Sequence, residues 1–447
     1  MDNQFSYILT LIVTFAAFGQ ICCFSFNLNS KVSSHLANNR NSSQAKGWIG
    51  SGHMQFTLDL LNSFVMTQSY NVNLRLMESL VFSPFSIQSV LMQLHLGARS
   101  QTKQEIANIL HIPPDENNST FSNTHEMFGQ AVKQLIEDIN VGKSLSVANQ
   151  IFYQEDLSIA PTYSLALAHY HNSQLRPMNF AKDSQEVLVT INDWIEKQTH
   201  GLISNFLTSP PSPLTSLMAI NAIKYKGDWH YKFDAADTES NAWFQLTNGQ
   251  TTRVQMMVSQ MPVAYAYNQN MQSSIIELPY RSQRLGLFLL LPNESNGIFN
   301  LLRSLNSTAL TNLIASMRKV GHGGVNIRIP KFSIDSMPKV TQVLKSQFGL
   351  KSLFSDAADL SSMFSRTTGS LNVDELLHKA ILKIDEQGSV GAAVSATNVE
   401  RVGVSGGAYF EADHPFIFFL MDKQTGLILF AGIFAGHTNN SNINKLL

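Results

Sequence analysis

Apolar residues recur at helical spacing through the first half of the chain and at strand spacing through the second. Ser83-Pro84 supplies a cap and a first-turn proline, and Ile87, Val90, Leu91 and Leu94 then share one helical face. Thr102 and Glu105 have the spacing of a capping box ahead of Ile106, Ile109 and Leu110. Further helices are predicted over Met127–Ile139 and over Val187–Leu202, the latter centred on Trp194. Strands are predicted at Ser146–Tyr153, Leu217–Lys224, Ser274–Leu278, Leu285–Leu291 and Asn326–Ile329. The apolar runs Pro415–Met421 and Leu427–Ile433 flank a short Gly-containing turn and read as a buried hairpin. Helices and strands mixed without βαβ alternation predict an α+β fold. Pro210, Pro211 and Pro213 mark a loop. No long linker, charge block or repeat divides the 447 residues, which predicts one large domain.

One segment breaks the pattern. Asp385-Glu386-Gln387-Gly388-Ser389-Val390-Gly391-Ala392-Ala393-Val394-Ser395-Ala396-Thr397 opens with two acids. From Gly388 onward it holds no charge, proline, aromatic or side chain larger than valine. Strand side chains alternate between faces, so Ser389, Gly391, Ala393, Ser395 and Thr397 would lie on one face. That small face can pass over a packed core, while Val390, Ala392, Val394 and Ala396 suit a half-buried sheet. A linker of this composition would lead to a polar tail, whereas this stretch runs into the predicted hairpin. Tethered at both ends, it is suited to stand out as a loop or to enter a sheet as a new strand.

The order of these pieces resembles the serpin family. The matching residues are Phe82-Ser83-Pro84-Phe85-Ser86-Ile87; Ile191-Asn192-Asp193-Trp194-Ile195 with Thr199 and Gly201-Leu202-Ile203; and Asn221-Ala222 with Lys226-Gly227-Asp228-Trp229. Glu277-Leu278-Pro279-Tyr280, Leu289-Leu290-Leu291-Pro292 and Ile329-Pro330-Lys331-Phe332 are further matches. His378-Lys379-Ala380, Ile381–Gly388 and Ala412-Asp413-His414-Pro415-Phe416 complete the set, from about His53 to Gly436.

The resemblance implies one domain, residues 53–436, of three mixed sheets surrounded by helices, with an exposed, insertable reactive loop at about 386–409. It implies a suicide-substrate inhibitor of serine proteases rather than an enzyme. The protease cuts the loop, is held as an acyl-enzyme, and residues 386–397 enter the main sheet as a strand. The implied hinge is Glu386, Gly388, Ser389, Val390, Gly391, Ala392, Ala393, Val394 and Ser395; Gly391 and Val394 depart from the commoner residues there. Counting seventeen residues from Glu386 puts the reactive bond at Val402-Gly403 and predicts an elastase-like target. Counting sixteen puts it at Arg401-Val402, a side chain suited to a trypsin-like pocket. Asn221, Trp229 and His378 are the implied loop-entry residues. The alternative is a non-inhibitory carrier, storage or signalling protein on the same fold.

Composition narrows the surroundings. Residues 1–23 resemble a signal peptide, with an apolar core from Ile8 to Phe18, and predict secretion. Both cysteines, Cys22 and Cys23, fall at its end, so the body offers no thiol nucleophile and no cysteine-bound zinc. Residues 24–52 are polar and read as a flexible extension, and 437–447 as a tail. Asn41, Asn117, Asn118, Asn293, Asn306 and Asn439 open glycosylation sequons. A net charge of −1 argues against nucleic acid and membrane partners. Lys133 lies among acids and makes no glycosaminoglycan site; a monomer is expected. The thirteen histidines lack metal-ligand spacing, and no cofactor or metal is expected. Gly403-Val404-Ser405-Gly406-Gly407 matches a hydrolase elbow but is followed by no helical period. His414 nearby is read as structural.

Overall fold

The computed structural model describes residues 41–68, 77–113, 119–138, 144–321, 323–366, 371–389 and 407–436. Residues 1–40, 437–447 and 390–406 of the loop are among those outside them.

Among the described residues, the first half of the chain carries six helices: α1 (Asn41–Gln68), α2 (Pro84–Gly97), α3 (Ser100–Ile109), α4 (Ser119–Glu137), α5 (Pro161–His171) and α6 (Ser184–Gln198). α2 starts as its sequence predicts, with the Ser83 hydroxyl accepting from the Ser86 N–H and Pro84 in the first turn. α1 differs from expectation. It begins at Asn41, inside the stretch 24–52 read as a flexible extension. Ile49, Met54, Phe56, Leu58, Leu60 and Leu61 are buried, and a helix nucleated by such packing extends at little cost into polar sequence.

The capping box at Thr102 and Glu105 does not form. The helix starts at Ser100, with Thr102 and Glu105 already inside it. Thr102 Oγ1 instead accepts the Asp359 N–H, and the Glu105 carboxylate accepts from the backbone and hydroxyl of Ser352. Partners about 250 positions away outcompete the local cap.

Three principal sheets carry the core. The largest has seven antiparallel strands in the order Leu80–Phe82, Ile428–Phe434, Phe416–Asp422, Leu285–Pro292, Ser273–Pro279, Ala264–Asn268, Arg318–Lys319. The predicted hairpin lies inside it, and every residue of its two strands is buried. A four-stranded sheet pairs Ala408–Glu411, Val325–Pro330, Thr251–Met261 and Glu239–Gln245. The third sheet holds the site. Its strands are β1 (Leu145–Gln154), β2 (Arg176–Met178), β3 (Leu217–Tyr225), β4 (Phe332–Ser336) and β5 (Val373–Ile384), in the spatial order β4-β5-β3-β1-β2.

Two buried polar ties join helices to sheets. His53 of α1 accepts the Ile428 N–H at Nε2 and bonds Gln88 of α2 through Nδ1. Arg284 donates in bidentate fashion to the fully buried Asp422, and its Nη1 reaches the Gln134 carbonyl at 2.9 Å and Asp138 at 3.2 Å. The end of α4 is thereby pinned to the turn of the buried hairpin. Removing one partner of a buried ion pair strands the other charge without water. Arg284→Met should lower the unfolding free energy by about 3–5 kcal/mol, read from denaturant midpoints. A loss below about 1 kcal/mol would mean that Asp422 finds compensation and that the tie is not structural.

Candidate functional site

The five-stranded sheet contains a seam. β5 and β3 run parallel and pair from Val373↔Leu217 to Ile381↔Lys224. β4 is antiparallel to β5, and β1 antiparallel to β3. On the outer face α6 lies across the seam: Val187, Ile191 and Ile195 form one apolar cluster with Met218, Ile220 and Ala222 of β3, and Leu377 and Ile381 of β5 pack against it.

On the inner face the seam is polar. Asn221 and His378 oppose each other in register. The Ser83 N–H donates to His378 Nε2 at 2.9 Å, so the ring proton sits on Nδ1 and is given to Asn221 Oδ1. Asn221 Nδ2 in turn donates to Asn149 Oδ1. Burial drives the His378 pKa down to about 3, so the ring is neutral. One continuous row of hydrogen bonds thus runs from β1 through β3 and β5 to the start of α2.

Beyond Ile384 the chain reverses in a two-residue turn. Asp385 N–H donates to the Gly388 carbonyl at 2.9 Å, and Gly388 N–H returns to the Asp385 carbonyl at 3.2 Å. The Asp385 carboxylate accepts from the N–H groups of Gln387 and Gly388, which fixes the turn. Gly388 has φ +149°, and a Cβ there would lie 2.0 Å from the Gly227 carbonyl oxygen, so only glycine fits. Gly388 and Ser389 then pair antiparallel with Asp228 and Gly227, just past the end of β3. The first two residues of the returning chain therefore already sit between the ends of β5 and β3.

Aromatic and ionic groups lock this root. Trp229 donates its backbone N–H to the Gln387 carbonyl and its indole N–H to the Asp385 carbonyl, at 2.8 and 2.9 Å. Its ring stacks on Tyr280 at 4.5 Å, and Tyr225 meets Tyr280 edge-on at 4.9 Å. The Tyr280 hydroxyl bonds the buried Ser389 hydroxyl. Burial and then Tyr225 raise the Tyr280 pKa well above the ordinary phenol value, so it stays protonated. Glu386 is held by Lys331 at 2.9 Å and by Thr238 at 3.0 Å. Burial opposes its charge, yet these bonds outweigh burial and leave its pKa below the ordinary value. Lys232 reaches the Gln387 amide oxygen at 2.8 Å.

Of the expected loop-entry residues, Trp229 is at the root. Asn221 and His378 are not: they lie midway down the seam, six residues before the end of β5. Glu386, Gly388 and Ser389 are described. Val390, Gly391, Ala392, Ala393, Val394, Ser395 and the reactive-bond residues Arg401, Val402 and Gly403 lie outside the described residues, as do Ser405, Asn117, Asn118 and Asn439. Asn41 is the first residue of α1. Asn293 is exposed and bonds Tyr267 and Gln272 through Nδ2. Asn306 is exposed and caps a helix through Oδ1, which a glycan on Nδ2 would leave intact. His414 bonds Asp413 through Nδ1 and the Pro292 carbonyl through Nε2, a bracing role with neither ring nitrogen spare. Among the described residues no group of histidines and acids is arranged to hold a metal, and no helix is long and apolar enough to cross a membrane. Tyr280 and Lys331 complete the root; both sit inside the family-like segments Glu277–Tyr280 and Ile329–Phe332, but nothing in those segments alone gives them a role.

Comparison with known proteins agrees with this architecture. A family model described as "Serpin (serine protease inhibitor)" matches residues 51–436. The chain is 30% identical over 356 residues to "Intracellular coagulation inhibitor 2" of Tachypleus tridentatus, covering 79% of this chain and 85% of that one. It is 29% identical over 395 residues to ovalbumin of Dromaius novaehollandiae, covering 86% and 98%. It superposes on human thyroxine-binding globulin, solved in complex with thyroxine, at a TM-score of 0.77, covering 88% and 100%; at 22% identity that likeness concerns the fold alone. The chain belongs to the serpin family, many of whose members inhibit proteases. The family includes both secreted and intracellular proteins.

The His378 geometry gives a pH dependence. Its folded pKa of about 3 lies below the unfolded value of 6.5, so the folded state binds fewer protons. Stability is therefore full above pH 6.5 and falls as pH drops toward about 3, by up to about 1.4 kcal/mol per unit for this ring. His378→Asn should flatten the fall in thermal midpoint between about pH 6.5 and about pH 4.5 relative to the parent. Parallel curves would show that His378 is not buried neutral.

Proposed function

We propose that this protein is a secreted suicide-substrate inhibitor of a serine protease, and that its loop is cut near Arg401 and Val402. The observation that carries the reading is the coincidence of two strand registers. The turn pairs Asp385 with Gly388 on the β5 side, and the root pairs Ser389 with Gly227 on the β3 side. Continued downward in an inserted strand, the first register would set Ser395 opposite His378, and the second would set it opposite Asn221. Asn221 and His378 are themselves partners in the closed seam, so both edges admit one and the same strand.

A chain returning from the turn is antiparallel to β5, and therefore to β3. Entry replaces one parallel pairing by two antiparallel ones, which adds a full ladder of backbone hydrogen bonds. Ser389, Gly391, Ala393 and Ser395 would face inward over the polar row, and none is bulky. The segment Glu386–Thr397 spans about 40 Å at ~3.3 Å per residue, so an acylated protease would be carried far from its docking point. The new strand makes the change effectively irreversible. Arginine at 401 suits a carboxylate-floored pocket, and valine at 402 a small apolar one. The apolar leader at 1–23 supports export, and export would expose Asn293 and Asn306 to glycosylation.

The test is incubation with one trypsin-like and one elastase-like protease, followed by denaturing electrophoresis and mass analysis of the released C-terminal fragment. A boiling-resistant adduct with a fragment starting at Val402 or Gly403 is expected. Ala393→Arg should be cut at the same bond, with the adduct yield reduced at least about tenfold, because a charge would have to be buried against the seam. Clean cleavage of the parent without adduct or thermal stabilisation would overturn inhibition in favour of a carrier, storage or signalling role.

A further inference from the structure

Away from the seam, three histidines from three helices meet ring to ring. His95 stands near the end of α2, His125 in the first half of α4, and His171 at the last position of α5. His95 Nδ1 and His125 Nε2 are 3.1 Å apart, and His125 Nδ1 and His171 Nε2 are 2.9 Å apart. The ring centroids are 5.3 and 5.2 Å apart, the first pair stacked and the second edge-on. His95 and His125 are buried, and His171 is half-buried. The helices cannot come closer here: at Gly129 a Cβ would lie 1.9 Å from the Tyr170 carbonyl oxygen, so α4 and α5 touch backbone to backbone.

The row has a fixed proton capacity. Each of its two links needs one N–H facing one lone pair. Two protons in the links and one on each outer nitrogen make four, one more than three neutral rings carry. A fifth proton has to enter a link and turn it into two N–H groups facing each other at about 3 Å. At that point the row also holds two cations, about 5 Å apart where they fall on neighbouring rings.

We propose that this row is an acid-released catch: neutral, it ties the first half of α4 to α2 and α5, and uptake of two protons frees that half while Arg284 keeps the far end pinned. Of the surrounding charges, Lys103 favours release and the Glu126 carboxylate opposes it. Lys103 of α3 acts on His95 and His125. On the outer side Glu126 of α4 pairs with His169 of α5 at 3.4 Å. Tyr170 of α5 also faces the row, its ring 5.9 Å from that of His125, while Tyr163 donates to the Gln93 carbonyl of α2. Burial, then Lys103 and His171, drives the His95 pKa down to about 3. Burial takes His171 to about 4, and burial with its neighbours takes His125 well below its usual value. Folded values below the ordinary 6.5 mean that the opened state binds more protons, so acid favours opening. The Arg284 tie at Gln134 and Asp138 confines the motion to the part of α4 before it.

Hydrogen exchange on the full chain at about pH 7, 6 and 5, corrected for intrinsic rates, tests this. The opening constant of amides in 119–131 should rise more than about tenfold per pH unit between 6 and 5, the limit for a single proton being tenfold. Amides at 134–137 and in the buried hairpin should stay protected. In His125→Phe, which keeps an aromatic ring in place, the dependence should fall below about threefold per unit. Should that variant fail to fold, His95→Gln together with His171→Gln breaks both links, leaves one ring to take up a proton and should bring the dependence to no more than about tenfold. Loss of protection in 119–131 together with the rest of the chain, or no dependence on pH, would reduce the row to passive packing.

Discussion

Two parallel strands lying side by side are the constraint on which the rest of this molecule depends. β3 and β5 pair directly, although the chain leaving β5 turns straight back toward the space between them. Parallel pairing is the slightly weaker arrangement, and the returning segment could satisfy both strands in the antiparallel sense. Separation of the closed seam is opposed from both of its faces. On the outside that resistance is the apolar contact of α6 with both strands. On the inside it is the hydrogen-bonded row from Asn149 through Asn221 and His378 to Ser83.

The polar row matters as much as the apolar one. Asn221 and His378 are buried, and each exchanges a hydrogen bond that would be lost if the strands parted without a replacement. A strand bearing a hydroxyl at the right place can supply one; an apolar or bulky residue cannot. In the proposed insertion, the small polar side chains of Ser389 and Ser395 would meet that requirement.

The same device recurs elsewhere with different consequences. Arg284 with Asp422, His53 with Ile428, and the row His95–His125–His171 each tie a helix to its neighbours through groups removed from water. The guanidinium–carboxylate tie holds its charge across the physiological range, whereas imidazoles hold only while neutral. The scaffold is thus fixed at some contacts and conditional at others, and the chemistry of the side chain decides which.

Much of this was legible in the chain itself, because strand and helix periods are local. The buried hairpin, β3 and the start of α2 follow from alternation, a Gly-containing turn and a Ser-Pro cap, and the structure moves their ends by a residue or two. The glycine at 388 and the run of small residues after it also declare themselves, since only steric size is needed to read them. What the chain could not declare were partners distant in sequence. Thr102 and Glu105 look like a cap until residues 352 and 359 claim them. Asn221 and His378 read as companions of Trp229, yet register puts them midway down the seam. Tyr280 beneath Ser389, Lys331 on Glu386, and three histidines from three helices have no local signature, because hydrogen bonding and burial select them only after the sheets and helices have packed.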